Sequence, residues 1–153
     1  MYKKAFIVAL IAVGSLQAAD YTEKIGLAFS PFQGFPNIAL RYHIVQQYCI
    51  SPVAGLAIAN DNTLFAIGVG NLIYLPSLAF LDQYVDIKLL FEHNSRSDLR
   101  SNIFNFFANY GLQYPINQGL SIFGEAGLGV ALGSGEDAFT IPDTELGIIF
   151  YLR

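Results

Sequence analysis

The sequence predicts an all-β protein, a closed antiparallel up-and-down transmembrane β-barrel of eight strands. Three observations predict it. Hydrophobic residues make up 54% of the 153 residues and charged residues only 13%, against about a quarter charged in an ordinary soluble domain. No apolar run beyond the N-terminus reaches the roughly 20 residues that a membrane helix needs. The apolar residues fall instead at every second position, in short bursts separated by Gly, Asn, Asp, Ser and Pro. In lipid every backbone polar group must be paired within the protein, so a spanning chain without helices has to close its sheet.

The N-terminus comes first. Lys3 and Lys4 precede an apolar core from Ala5 to Leu16, and the small residues Ala18 and Ala19 precede Asp20. This is the pattern of an export signal, so residues 1–19 are expected as a signal peptide and 20–153 as the barrel domain. The mature part then carries 8 − 2 = 6 basic residues against 12 acidic ones, a balance that argues against nucleic acid as a partner.

Alternate side chains of a strand face opposite sides, and the faces can be written down in order. Ile25, Leu27 and Phe29 oppose Lys24, Gly26, Ala28 and Ser30. Ile38, Leu40, Tyr42 and Ile44 oppose Ala39, Arg41 and His43. Ile50, Ala54, Leu56 and Ile58 oppose Ser51, Val53, Gly55 and Ala57, with Pro52 removing one ladder donor. The fourth strand, near Leu64 to Ile73, puts Asn71 on the apolar face. Val85, Ile87, Leu89 and Phe91 oppose Asp82, Asp86, Lys88 and Glu92. Phe104, Phe106, Tyr110, Leu112 and Tyr114 oppose Asn105, Phe107, Asn109 and Gln113. The seventh strand is the clearest: Leu120, Ile122, Ala126, Leu128, Val130 and Leu132 against Ser121, Phe123, Glu125, Gly127, Gly129 and Ala131. The eighth sets Leu146, Ile148, Phe150 and Leu152 against Glu145, Gly147, Tyr151 and Arg153.

The stretches 45–48 and 115–119 read as short turns, and 30–36, 93–101 and 133–143 as longer loops rich in Gly, Ser, Asp, Asn and Pro. Short inner turns and longer outer loops are the habit of outer-membrane barrels. An even strand count leaves both termini on one side. The strand charges lie opposite the continuous apolar stripe, the reverse of a soluble barrel. With no Trp in the chain, Tyr42, Tyr110 and Tyr114 are the candidates for the interfacial aromatic girdle.

An eight-stranded barrel is just wide enough for side chains to fill it, and an unpaired buried charge is costly. The inward charges Lys24, Arg41, His43, Asp82, Asp86, Lys88, Glu92, Glu125, Glu145 and Arg153 are therefore expected to pair, with Arg41 and Lys88 meeting Asp86 and Glu125 at the centre. Cys49, the one cysteine, is expected as a small buried side chain. Arg96 and Arg100, in an outer loop, suit phosphate groups of lipid or ligand. No metal-ligand spacing surrounds His43 or His93, and no cofactor is expected.

Three resemblances add to this reading. The mature chain resembles the small outer-membrane barrels of the OmpA/OmpX and opacity-protein kind, through Tyr114-Pro115 to Gly119, the run Leu120 to Gly129, and the final strand. This implies a bacterial outer-membrane location, lipid as surroundings, a monomer, and a non-enzymatic role in envelope integrity or surface interaction. The segment Glu145 to Leu152 resembles the β-signal read by the outer-membrane assembly machinery, with Leu152 and Arg153 in place of a final aromatic residue. His93-Asn94-Ser95 resembles the His-x-Ser motif of the lipid A 3-O-deacylases, which implies a lipid-modifying enzyme as the alternative. Here, however, the motif precedes Glu125-Ala126-Gly127 rather than following it, and Asn102, Phe104 and Phe106 stand where that family carries its glutamate. A narrow pore is a further alternative.

Overall fold

The computed structural model describes residues 21–32, 35–59, 62–96, 99–133 and 139–152; the expected signal peptide and Arg153 lie outside them. The eight strands are β1 (Ile25–Phe32), β2 (Phe35–Val45), β3 (Tyr48–Ala59), β4 (Asn62–Tyr74), β5 (Asp82–Arg96), β6 (Leu99–Asn117), β7 (Leu120–Gly133) and β8 (Phe139–Leu152). Each pairs antiparallel with its sequence neighbour, and β1 pairs with β8 to close the barrel. The closure runs from Ile25↔Leu152 to Phe29↔Ile148, with Phe29 set edge-on to Phe150 at 6.1 Å.

The two faces have opposite chemistry. Leu128 and Leu146 are 63% and 69% exposed on the outside, and Ile38, Leu56, Ile67, Leu89 and Phe104 stand out with them. Arg41, Asp86, Lys88, Glu125 and Asp143 are buried inside. Such an exterior is stable only against another apolar phase, because apolar surface left in water costs roughly 25 cal/mol per Å². Tyr42, Tyr110 and Tyr114 also face outward, near the end that carries the chain termini. Asn71 lies on the outer face as expected, and its polar atoms are matched there: it accepts from the Tyr48 hydroxyl at 2.8 Å and donates to the Ile87 carbonyl at 3.4 Å.

The inner face alternates large side chains with glycine. Tyr84 is paired with Gly111 and Phe107 with Gly129. A Cβ on Gly111 would come within 2.3 Å of the Tyr84 ring, and one on Gly129 within 2.2 Å of the Phe107 ring. These glycines are room for the neighbouring ring, so the polar-looking inner face is well filled.

The connections differ from the expected pattern of long outer loops. β1 and β2 are separated by residues 33–34, β5 and β6 by 97–98, and β8 begins at Phe139. Most of the stretches read as loops at 30–36, 93–101 and 133–143 are therefore strand. Hairpin pairing satisfies backbone groups beyond the apolar band as well as within it, so a loop-like composition did not end the ladder. The long connection lies at the opposite end, between Tyr74 and Asp82, where Leu78 and Leu81 close a tight turn on each other and Ala79 takes a positive φ of 58°.

Candidate functional site

The interior is organised in three layers. At the end that carries the termini, Tyr21 folds into the mouth ahead of β1. Its ring stacks on His43 at 5.0 Å and on Tyr151 at 4.9 Å, and Tyr74 packs against His43 at 5.1 Å. The Tyr21 hydroxyl donates to Asp82 at 3.0 Å. Burial, with Tyr151 and Asp82 nearby, holds the Tyr21 phenol well above its ordinary pKa, so it stays a donor. Cys49 is fully buried beside this plug, with Leu72, Tyr74 and Tyr84. Lys24 sits with its ammonium 5.6 Å from the Tyr21 ring centre.

Gln113 joins the plug to the layer below. Its oxygen accepts from the Tyr74 hydroxyl at 3.0 Å and from Arg41 at 3.4 Å, and its nitrogen donates to the Tyr151 hydroxyl at 3.0 Å.

The middle layer is ionic. Arg41 lies 2.9 Å from Glu125 and also donates to the Tyr84 hydroxyl at 3.2 Å. Its guanidinium stands 4.2 Å over the Phe123 ring, an arrangement that favours a cation. Lys88 lies among four carboxylates: Glu145 at 2.6 Å, Glu125 at 3.4 Å, Asp143 at 3.6 Å and Asp86 at 3.8 Å. The structure thus brings Arg41, Asp86, Lys88 and Glu125 into one cluster, and adds Asp143 and Glu145. Glu145 in turn accepts from Ser30, while Asp143 accepts from Asn109 at 2.6 Å. The sequence places Asp143 at the end of a loop, but β8 starts at Phe139, and Asp143 stands opposite Gly127 with its side chain inward. Its parity with Glu145 and Gly147 was the signal. Among the described residues, no group of three or more His, Cys, Asp or Glu side chains is placed to hold a metal ion.

Towards the far end the lining turns apolar, with Val53, Ala66, Leu90 and Phe107 packed together. Glu92 lies beyond the ionic centre and accepts from Asn105 at 2.6 Å. The space left around the ionic cluster, between Arg41, Asp86, Lys88 and Glu145, amounts to about 20 Å³.

The remaining sequence candidates lie at the far end of the β5–β6 hairpin. β5 extends to Arg96, so His93 and Ser95 share the outward face with their partners Phe65 and Thr63. His93 Nδ1 lies 2.7 Å from Asn102 Oδ1. Arg96 and Arg100 belong to the paired ends of β5 and β6, opposite Leu99 and Ser95, and not to a loop. Their side chains lie outside the described residues.

The sequence matches no family model and no curated protein. Solved structures match in fold. The crystal structure of Neisserial surface protein A (NspA) superposes with a TM-score of 0.57 at 14% identity, over 83% of this chain and 92% of that one. A barrel from the de novo design of transmembrane beta-barrels superposes with a TM-score of 0.52 at 13% identity, over 88% of this chain and all of the designed one. At such identities the likeness is one of fold. The chain is a closed, all-antiparallel eight-stranded barrel with the fold of transmembrane barrels, and its exterior is apolar.

Proposed function

We propose that this chain is a bacterial outer-membrane protein with a structural role in envelope integrity or a role in surface interaction, and that it is not an enzyme. One observation carries the reading: the interior is occupied by an ionic cluster and a tyrosine plug that tie strands to one another. Lys88 on β5 and Glu145 on β8 meet at 2.6 Å, and Arg41 on β2 meets Glu125 on β7 at 2.9 Å. Such cross-barrel bonds suit a rigid post in the membrane better than a conduit. In this reading the termini are periplasmic, the chain is monomeric, and surface contacts fall at the opposite end, where Arg96 and Arg100 offer cations to phosphate. The last strand, whose Glu145 and Gly147 face the lumen, is what the assembly machinery engages.

The experiment is a deletion in the source bacterium, complemented with wild-type chain and with Lys88→Met. Entry of a large hydrophobic antibiotic should rise on deletion and return to normal with the wild type. Unchanged permeability, together with conductance steps from the purified protein in planar bilayers, would contradict the structural role and favour a pore.

A lipid-modifying reading would rest on His93 and Ser95. Acyl transfer by serine needs a histidine base oriented by a third group, commonly a carboxylate; here Asn102 takes that position. Ser95→Ala is expected to leave lipid A unchanged by mass spectrometry in cells that express the chain. A change in acylation between wild type and Ser95→Ala would establish the enzyme instead.

A further inference from the structure

The barrel wall is uneven, and the ladder between β2 and β3 is interrupted. On one side β3 pairs with β4 without a break, from Tyr48↔Ile73 to Ala59↔Asn62. On the other, the ladder to β2 holds at Asn37↔Gly55, Ile38↔Ala54 and Ala39↔Val53, lapses, and resumes at Tyr42↔Ile50. The register is the same on both sides of the lapse, so the strands have not slipped; pairing is missing. Pro52 stands in the lapse. Pro36 stands at the other limit, where β2 still pairs with β1 through Pro31↔Pro36 but no longer with β3. A proline has no N–H to lose, so a lapse at Pro52 strands fewer donors than a lapse at any non-proline residue.

At this seam a groove of about 870 Å³ opens on the outer surface, in the half of the barrel remote from the termini. Leu40, Leu56, Phe65 and Ile67, all outward residues, form its sides. Val53 and Gly55, whose positions turn inward, contribute to its floor. Residues of both faces therefore line the groove. Val53 belongs to the apolar cluster with Ala66, Leu90 and Phe107, so the floor is backed by apolar packing. The polar side chains at its margin, Ser30 and Asn37, are bonded to each other at 2.7 Å and both to Glu145.

We propose that this groove binds one acyl chain of a membrane lipid and holds it more tightly than lipid elsewhere around the barrel. The proposal rests on the transmembrane reading. The groove is continuous with the lipid-facing surface, so hydrocarbon is what meets it, and its volume lies within the roughly 300–1,000 Å³ of ordinary ligand pockets. A mainly apolar slot with a glycine in its lining admits a bare hydrocarbon chain, and its two polar side chains, Ser30 and Asn37, are already engaged with each other and with Glu145.

The test uses the whole barrel, reconstituted in dioleoylphosphatidylglycerol vesicles, extracted into mild detergent and weighed by native mass spectrometry. The wild type should retain one phospholipid per chain. Ala54→Phe, which fills the groove, should lower retention at least fivefold. Leu128→Phe, on β7 across the barrel, should leave it unchanged. Folding of each variant is checked by its shift on unboiled gels, and Leu56→Phe serves as a second filling variant. No retained lipid on folded wild type, equal retention in the filled variants, or a dimer mass in place of the lipid adduct would overturn the proposal. A chain that stays in buffer and never enters the vesicles would overturn the transmembrane reading itself, and the groove with it.

Discussion

Replacing Glu125 with leucine removes a carboxylate from between two buried cations. Glu125 and Arg41 are 6% and 3% exposed, 2.9 Å apart, and far from bulk water. After the change Arg41 keeps only neutral partners among those described above, the Gln113 oxygen at 3.4 Å and the Tyr84 hydroxyl at 3.2 Å. Lys88 keeps Glu145 at 2.6 Å, so the damage falls on Arg41. Leaving one buried charge without its counter-charge typically costs about 3–5 kcal/mol, and Glu125→Leu should fall in that range. Arg41→Met alone should cost less, because Glu125 keeps Lys88 at 3.4 Å and the Tyr84 hydroxyl at 2.8 Å. The double replacement should cost much less than the sum, because neither charge is then stranded and Lys88 still has its acids; a coupling of about 2–3 kcal/mol is expected, near the upper limit for contacting residues. The assay is urea unfolding in phospholipid vesicles, read as the fraction migrating as the compact form on unboiled gels. Additive costs, or a Glu125→Leu cost below about 1 kcal/mol, would refute the claim that Arg41 is desolvated and dependent on Glu125.

Other outcomes follow from the packing of the barrel. Gly111→Val would drive a side chain into the Tyr84 ring and should destabilise the barrel by about 1–3 kcal/mol, with part of the loss recovered when Tyr84→Leu is added; the vesicle unfolding assay reads both. Leu128→Arg, on the apolar outer face, should cost about 2–4 kcal/mol in vesicles if it lies near the bilayer midplane, visible as a lower urea midpoint. Ala79 holds a positive φ in the β4–β5 turn, so Ala79→Gly should raise stability by about 1 kcal/mol without altering the gel shift.

Much of the barrel was legible in the chain because lipid outside and charge inside give each strand a strong period-two signal. Leu120 to Leu132 displays it almost without exception, and every face assigned there agrees with the structure. Strand ends were less legible. Residues 93–96 and 139–143 have loop-like composition, yet their backbones pair, and local residue type does not report where a ladder stops. For the same reason Asp143 was missed, with Pro142 beside it suggesting a break. The interior partners were legible only as a set. Which acid meets Lys88 depends on barrel shear and tilt, which place Glu145 of β8 beside it although the two are 57 residues apart. The plug at Tyr21 carried no signal, since it precedes the first strand and belongs to no alternation. Pro52 and Asn71, both irregular in the pattern, mark real features: a lapse in the ladder and a hydrogen-bonded polar pair on the outer face.

Each strand turns one face to an apolar surround and the other to a packed polar interior. Spin labels placed singly along β7, at Ser121, Ile122, Leu128, Val130 and Ala131, in a Cys49→Ala background and reconstituted in vesicles, test it directly. Oxygen accessibility should be high at Ile122, Leu128 and Val130 and low at Ser121 and Ala131, which are buried. A flat profile along the strand, or high accessibility to a water-soluble relaxant at Leu128 and Val130, would contradict it.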